Sequence, residues 1–134
     1  MIKYVIRAKK NPIAKIVKYY PQIAPTTPVT LAQIVKRIEK RSTVSSADVK
    51  AVLDALQYEV IEALQNGNSV RLGDLGSFRL SIKANGSTTS DEARRTGANA
   101  IKAVNVQFTK STAMRDALSP SGVEFALQED ISND

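Results

Sequence analysis

Apolar residues recur along this chain with two different periods, and the switches between them divide it into elements. Ile2, Tyr4 and Ile6 alternate with Lys3, Val5 and Arg7, which predicts a strand over residues 2–8. Asn11-Pro12 signals a turn. Ile16, Val17, Tyr19 and Tyr20 then suit a second strand, which Pro21 is expected to stop. Two strands alone are marginal in water, so this ribbon is expected to lie on a larger body. Ala24-Pro25-Thr26-Thr27-Pro28 reads as a stiff linker and a boundary.

The period then changes to that of a helix. Leu31, Ile34, Val35 and Ile38 follow Thr30, a good N-cap, at i, i+3, i+4 and i+7. Lys36, Arg37, Lys40 and Arg41 occupy the outer side, the last two being suited to the negative end of the helix dipole. Ser45-Ser46-Ala47-Asp48 has capping-box spacing, with aspartate in the glutamate place. Val49, Val52, Leu53, Leu56, Val60, Ile61 and Leu64 predict a longer helix ending at Asn66-Gly67. Its wide stripe leaves one face for the first helix and another for a partner chain. As a helix-turn-helix the pair is poor, because Asp54, Glu59 and Glu62 crowd the polar side that would face phosphate.

Alternation returns at Val70 and Leu72, bends at Gly73-Asp74-Leu75-Gly76, and resumes at Phe78, Leu80 and Ile82. Arg79, Ser81 and Lys83 make the outer face of that strand basic. From Lys83 to Asn99 the chain is small and polar without apolar periodicity, and is expected to be an exposed, mobile segment. Val104, Val106 and Phe108 form a returning strand, whose apolar face is expected to meet Phe78, Leu80 and Ile82. Thr109 or Ser111 can cap a last short helix bearing Ala113, Met114, Ala117 and Leu118, which Ser119-Pro120-Ser121-Gly122 stops. Glu124, Glu129, Asp130 and Asp134 make the tail acidic, and Val123, Phe125 and Leu127 alternate within it as an edge strand or a partly ordered terminus.

Composition narrows the chemistry. With no cysteine and no histidine among the 134 residues, the commonest metal ligands and the commonest general base are missing. No metal or other cofactor is expected, and no grouping reads as a catalytic site. Asp91-Glu92 is a solvated pair at a loop tip, and Gly73-Asp74-Leu75-Gly76 lies between strands rather than opening a helix as a phosphate cradle does. No apolar run approaches the roughly 20 residues that span a bilayer, and Lys3, Arg7, Lys9 and Lys10 break up the start, so a soluble cytoplasmic protein is expected. Net charge is +6, unevenly spread: eleven cations oppose two carboxylates up to Lys50, a balance of +9, and eight oppose eleven beyond it, a balance of −3. A basic half points to a polyanion partner.

Asn66-Gly67, Val70-Arg71-Leu72 and Leu75-Gly76-Ser77-Phe78 together resemble the HU and integration-host-factor family of bacterial DNA-bending proteins, over roughly residues 30–118. Leu75 stands where that family has the first phenylalanine of its glycine-phenylalanine-glycine-x-phenylalanine bend. Lys9-Lys10-Asn11-Pro12, Tyr19-Tyr20-Pro21 and the run from Arg71 to Phe78 extend the likeness to an HU-related subfamily with an N-terminal extension. The resemblance implies an α+β fold. Two helices, a three-stranded antiparallel sheet with a β-arm and a short C-terminal helix would form an intertwined homodimer, here with an added N-terminal β-ribbon. The corresponding organisation is a ribbon and linker over 1–29, an HU-like domain over 30–118 and an acidic tail over 119–134.

The function it implies is sequence-tolerant binding of duplex DNA by a nucleoid or architectural protein. Phosphate contacts need only suitably spaced cations. Arg71, Arg79, Lys83, Arg94, Arg95, Lys102, Lys110 and Arg115 are the candidates on strands, arm and last helix, with the basic extension as a possible supplement. Two features depart from the family. Its arm-tip proline, an apolar wedge that kinks DNA, has no counterpart in the arm, where Arg94 falls at the aligned position. Its lysine-rich run before the last helix is here Phe108-Thr109-Lys110-Ser111-Thr112. These departures, with the acidic tail, leave open a dimeric protein-interaction scaffold that no longer bends or binds DNA.

Overall fold

The computed structural model describes residues 1–128, so Glu129, Asp130 and Asp134 of the expected acidic tail lie outside the described residues. The chain divides into two units, residues 31–115 and a second made of 1–30 with those from 116 on.

The second unit is a three-stranded sheet. β1 (Ile2–Lys10) pairs antiparallel with β2 (Val17–Ile23), and the order is β2-β1-β6, β6 being Phe125–Leu127. β6 runs parallel to β1, with Ile2 opposite Phe125 and Tyr4 opposite Leu127. The turn between β1 and β2 is built by Asn11, whose Oδ1 accepts from the N–H groups of Ile13 (2.9 Å) and Ala14 (3.3 Å). Lys15 completes it at φ 56°. Pro21 does not end β2 as the sequence predicts. It lies opposite Ile6. Asn11 N donates to Ile16 O and Ala24 N to Lys3 O, so odd-numbered β1 positions carry the ladder bonds. The missing N–H of Pro21 therefore falls on the open edge, where proline is tolerated. Within this unit Val5 and Ala24 are buried, whereas Ile6 and Ile23 on the opposite face are exposed.

In the other unit, α1 (Leu31–Arg41) and α2 (Ser46–Gln65) form a helical pair with Val35, Val49 and Leu64 buried. Ser45 caps α2, its Oγ accepting from Asp48 N at 3.3 Å. Gly67, at φ 83°, closes the other end: Asn68 N donates to Ala63 O and Gly67 N to Leu64 O, both at 3.0 Å. These two bonds satisfy carbonyls that a helix end leaves open, and the left-handed residue turns the chain into the sheet.

That sheet has the order β3-β4-β5, all antiparallel: β3 (Val70–Leu72), β4 (Gly76–Ala84) and β5 (Ile101–Lys110). Phe78 lies opposite Phe108, Leu80 opposite Val106 and Ile82 opposite Val104, the meeting of faces that the alternation predicts. Between β4 and β5, where the resemblance implies a β-arm, the chain leaves the strand pair after Ala84. It then forms α3 (Ser90–Thr96) and a 3-10 turn at Gly97–Ala100. α3 has no apolar stripe, but Thr89 Oγ1 accepts from Glu92 N (3.1 Å), Asp91 and Glu92 fill its first turn, and Arg94 and Arg95 its last. Ser111 caps α4 (Thr112–Ala117), accepting from Met114 N at 3.0 Å. The same hydroxyl donates to Asp74 O, and Ser111 N donates to Leu75 O, so α4 is anchored to the bend between β3 and β4.

Candidate nucleic-acid interface

The two faces of β4 decide where cations can gather. Because successive side chains point to opposite sides of a strand, the pairing of Phe78, Leu80 and Ile82 with the apolar positions of β5 turns Ser77, Arg79, Ser81 and Lys83 the other way. Arg71 pairs with Ser77 and so joins that polar face. Arg71, Arg79 and Lys83 thus share one side of the sheet, with Gln107 and Ala103 as the cross-strand neighbours of the latter two. All three are exposed. At about 3.4 Å per residue, Arg79 and Lys83 are roughly 14 Å apart along the strand.

Gly76 sets the geometry at the root of this strand pair. A Cβ there would stand 2.3 Å from Thr109 O and 2.8 Å from the Phe108 ring. Only hydrogen fits, so β4 and β5 close together and bring Phe78 and Phe108 to a ring-centroid distance of 5.2 Å, tilted by 52°.

The other sequence candidates are not on that face. Lys110 lies opposite Gly76 and therefore on the phenylalanine side. Lys102 sits at an irregularity, since Lys83 pairs with Ala103 and Ala84 already with Ile101. Arg115 is in the last turn of α4. On α3, Arg94 Nη1 is 3.3 Å from Asp91 Oδ1, in a pair whose side chains are 78% and 87% exposed. Such a pair is weak and easily exchanged for another anion. Two cations and two carboxylates leave α3 near electrical neutrality. Arg95 has no carboxylate within ion-pair distance among the described residues.

The apolar face of the same sheet is more open than a core face should be. Phe78 and Leu80 are only half-buried. Ile82, Val104, Val106 and Phe108 are each 50–60% exposed. An open groove of about 420 Å³ lies between α2 and this face, lined by Ile61, Leu64 and Gln65 and by Leu80, Val104 and Val106. On α2, Val49 and Leu64 are buried, but Val52 (65%) and Leu56 (42%) on the other flank of the stripe are exposed. Sequence reading missed the scale of this surface, because periodicity reveals which residues are apolar without revealing whether one chain can cover them. Among the described residues no group of His, Cys, Asp or Glu is arranged to hold a metal ion, and no helix is long and apolar enough to cross a membrane.

Residues 1–125 match the model of the HU-HIG family, described as "HU domain fused to wHTH, Ig, or Glycine-rich motif". A stretch of 52 residues, 39% of the chain, is 40% identical to the DNA-binding protein HU of Thermus thermophilus and covers 54% of it. Among solved structures, a Bacteroides vulgatus protein assigned as a bacterial DNA-binding protein superposes with a TM-score of 0.66 at 19% identity, over 94% of this chain and 47% of that one. An Anabaena HU–DNA cocrystal structure gives 0.53 at 21% identity, over 69% and 99%. A mutant HU from Thermotoga maritima gives 0.50 at 19% identity, over 68% and 100%. The matches thus span about half the length of the Thermus and Bacteroides proteins, and at these identities the structural likenesses speak for the fold.

Proposed function

The chain belongs to the HU-HIG family, and from that premise we propose that it binds double-stranded DNA with little regard to sequence, as an architectural protein of the nucleoid. The observation that carries this reading is the file of exposed cations Arg71, Arg79 and Lys83 on one sheet face. Guanidinium and ammonium groups neutralise phosphates and release counterions without consulting the bases. Arg95 on α3 and Lys102, Lys110 and Arg115 at the ends of β5 and on α4 are proposed as further phosphate contacts. Arg94 joins them by exchanging Asp91 for a phosphate. The likeness to HU from Thermus and to the Anabaena HU–DNA structure supports the same partner.

The active species in this reading is an intertwined homodimer. Ile82, Val104, Val106 and Phe108 lie together on one sheet face, each at least half exposed, and Val52 and Leu56 extend the apolar surface along α2; contiguous exposed apolar surface of this kind favours an interaction partner. A second copy is the occupant proposed, since the surface is aliphatic and aromatic with few charges to complement. The organisation proposed is a ribbon and linker over 1–29, a DNA-binding domain over 30–118 and an acidic tail over 119–134, whose strand β6 joins the ribbon's sheet. The rival reading, a dimeric scaffold that has given up DNA, draws on the near-neutral α3 where an arm would be.

Titrating a labelled duplex with the parent and with a triple Arg71→Gln, Arg79→Gln, Lys83→Gln variant separates the two. Loss of three phosphate contacts from each protomer predicts weakening of roughly a hundredfold or more at moderate salt. A parent that does not retain duplex even at low salt refutes DNA binding and leaves the scaffold.

A further inference from the structure

The β1–β2 ribbon has its own polyanion-binding chemistry. Residues 1–38 contain no aspartate or glutamate, and the ribbon carries Lys3, Arg7, Lys9, Lys10, Lys15 and Lys18. Its register pairs Arg7 with Tyr20 and Lys9 with Lys18, which gathers Arg7, Lys9, Lys18 and Tyr20 on one face. Lys9 and Lys18 form a hydrogen-bonded pair of the ladder, so their Cα atoms are about 5.5 Å apart. Like charges directly opposite destabilise a strand pair. No carboxylate among the described residues lies within ion-pair distance of either. A lysine on the open β2 edge would be enough to discourage edge-to-edge aggregation; a facing lysine on the central strand does nothing for that purpose. An anion seated between the two strands relieves the repulsion.

The tip of the ribbon is the second observation. Asn11 folds the turn so that Ile13 projects with 93% of its surface exposed, beside Pro12 and between Lys10 and Lys15. An isoleucine left in water at the end of a cationic ribbon contributes nothing to this chain's own packing and has its full side chain free to be buried against a partner. It is also the kind of side chain that DNA-bending proteins insert at a base step from the minor groove.

We infer that the N-terminal ribbon is a second duplex-DNA-binding element, with Arg7, Lys9 and Lys18 on backbone phosphates and Ile13 as an apolar wedge in the minor groove. This deepens the DNA-binding reading and rests on it. It supplies from another part of the chain the wedge that the arm lacks.

The test uses the full chain and a labelled duplex. A triple Arg7→Gln, Lys9→Gln, Lys18→Gln variant should reduce the slope of log K against log salt by about 2 to 3 for each ribbon of the dimer that contacts the duplex. A Lys9→Arg, Lys18→Arg variant should keep the parent slope. Acetylation footprinting of the parent, which needs no variant, should show Lys9 and Lys18 protected by duplex. Ile13→Ser should abolish the approach of the duplex ends measured by energy transfer. If the parent binds duplex while the triple variant keeps its slope and both lysines stay reactive, the ribbon does not touch DNA and only this inference falls. A parent that fails to bind overturns both readings. Protection by anionic phospholipid vesicles but not by duplex would assign the face to a membrane and overturn the inference. Bending unaffected by Ile13→Ser would overturn the wedge.

Discussion

Gly76 offers the sharpest test of how the strand pair is built. Replacing it with alanine adds one methyl group, but that carbon would stand 2.3 Å from Thr109 O and 2.8 Å from two atoms of the Phe108 ring. The carbonyl belongs to backbone held in the β4–β5 ladder, so it cannot swing aside as a side chain would. Gly76 also has φ 152°, in a region that side-chain-bearing residues rarely adopt. Overpacking costs about 1–3 kcal/mol and the backbone strain about 1–3 kcal/mol more. A loss of about 3 kcal/mol is therefore expected for Gly76→Ala, which for a small domain lowers Tm by roughly 12–24 °C. Two controls accompany it. Gly73, at φ 50° with nothing within 4 Å of its Cβ position, should cost only about 1–2 kcal/mol as alanine. Gly86, with open space and no positive φ, should be neutral or slightly stabilising. Thermal and urea unfolding at one fixed protein concentration give the ranking, since association makes apparent stability concentration-dependent. Equal midpoints for Gly76→Ala and Gly73→Ala would show that β4 and β5 do not approach as described.

Three further outcomes follow from other parts of the structure. Ser45→Ala removes the hydroxyl that accepts from Asp48 N and donates to Asp48 Oδ2, and should cost about 1 kcal/mol in urea unfolding, whereas Ser45→Thr, which keeps that hydroxyl, should be close to neutral. Sedimentation at micromolar concentration should report twice the chain mass, and Val106→Asp should yield a protomer or an unfolded chain; a parent of single-chain mass refutes the dimer. Asp91→Asn releases Arg94 from its 3.3 Å partner. It should tighten duplex binding severalfold while leaving Tm within about a degree, because an exposed ion pair contributes so little. Unchanged affinity would take α3 off the DNA.

What the sequence revealed depends on where the determining chemistry lies. Ends of α2 were legible because Ser45, Asp48 and Gly67 act on amides and carbonyls within a few residues. The register of Phe78, Leu80 and Ile82 against β5 was legible because a one-residue slip would turn every apolar side chain to the wrong face. α3 escaped because its seven residues have no apolar stripe. Yet Thr89-Ser90-Asp91-Glu92 is a capping box, and Thr88 Oγ1 also donates to Glu92 Oε2 at 3.1 Å. A search for caps rather than periodicity would have found it. Pro21 misled because its effect depends on whether its strand lies at an edge, which no local pattern encodes. For the interface, alternation alone sufficed to group Arg79 with Lys83, while the grouping of Arg71 with them needed the β3–β4 register. The opposition of Lys9 and Lys18 likewise depends on the length of the turn between β1 and β2.

The salt dependence of duplex binding tests the central claim most directly. If Arg71, Arg79 and Lys83 each neutralise a phosphate, log K should fall against log salt with a slope of about −3 or steeper. That slope should be the same for unrelated duplex sequences. A slope near zero, or no binding at low ionic strength, would mean that the cationic faces of this chain have some other use.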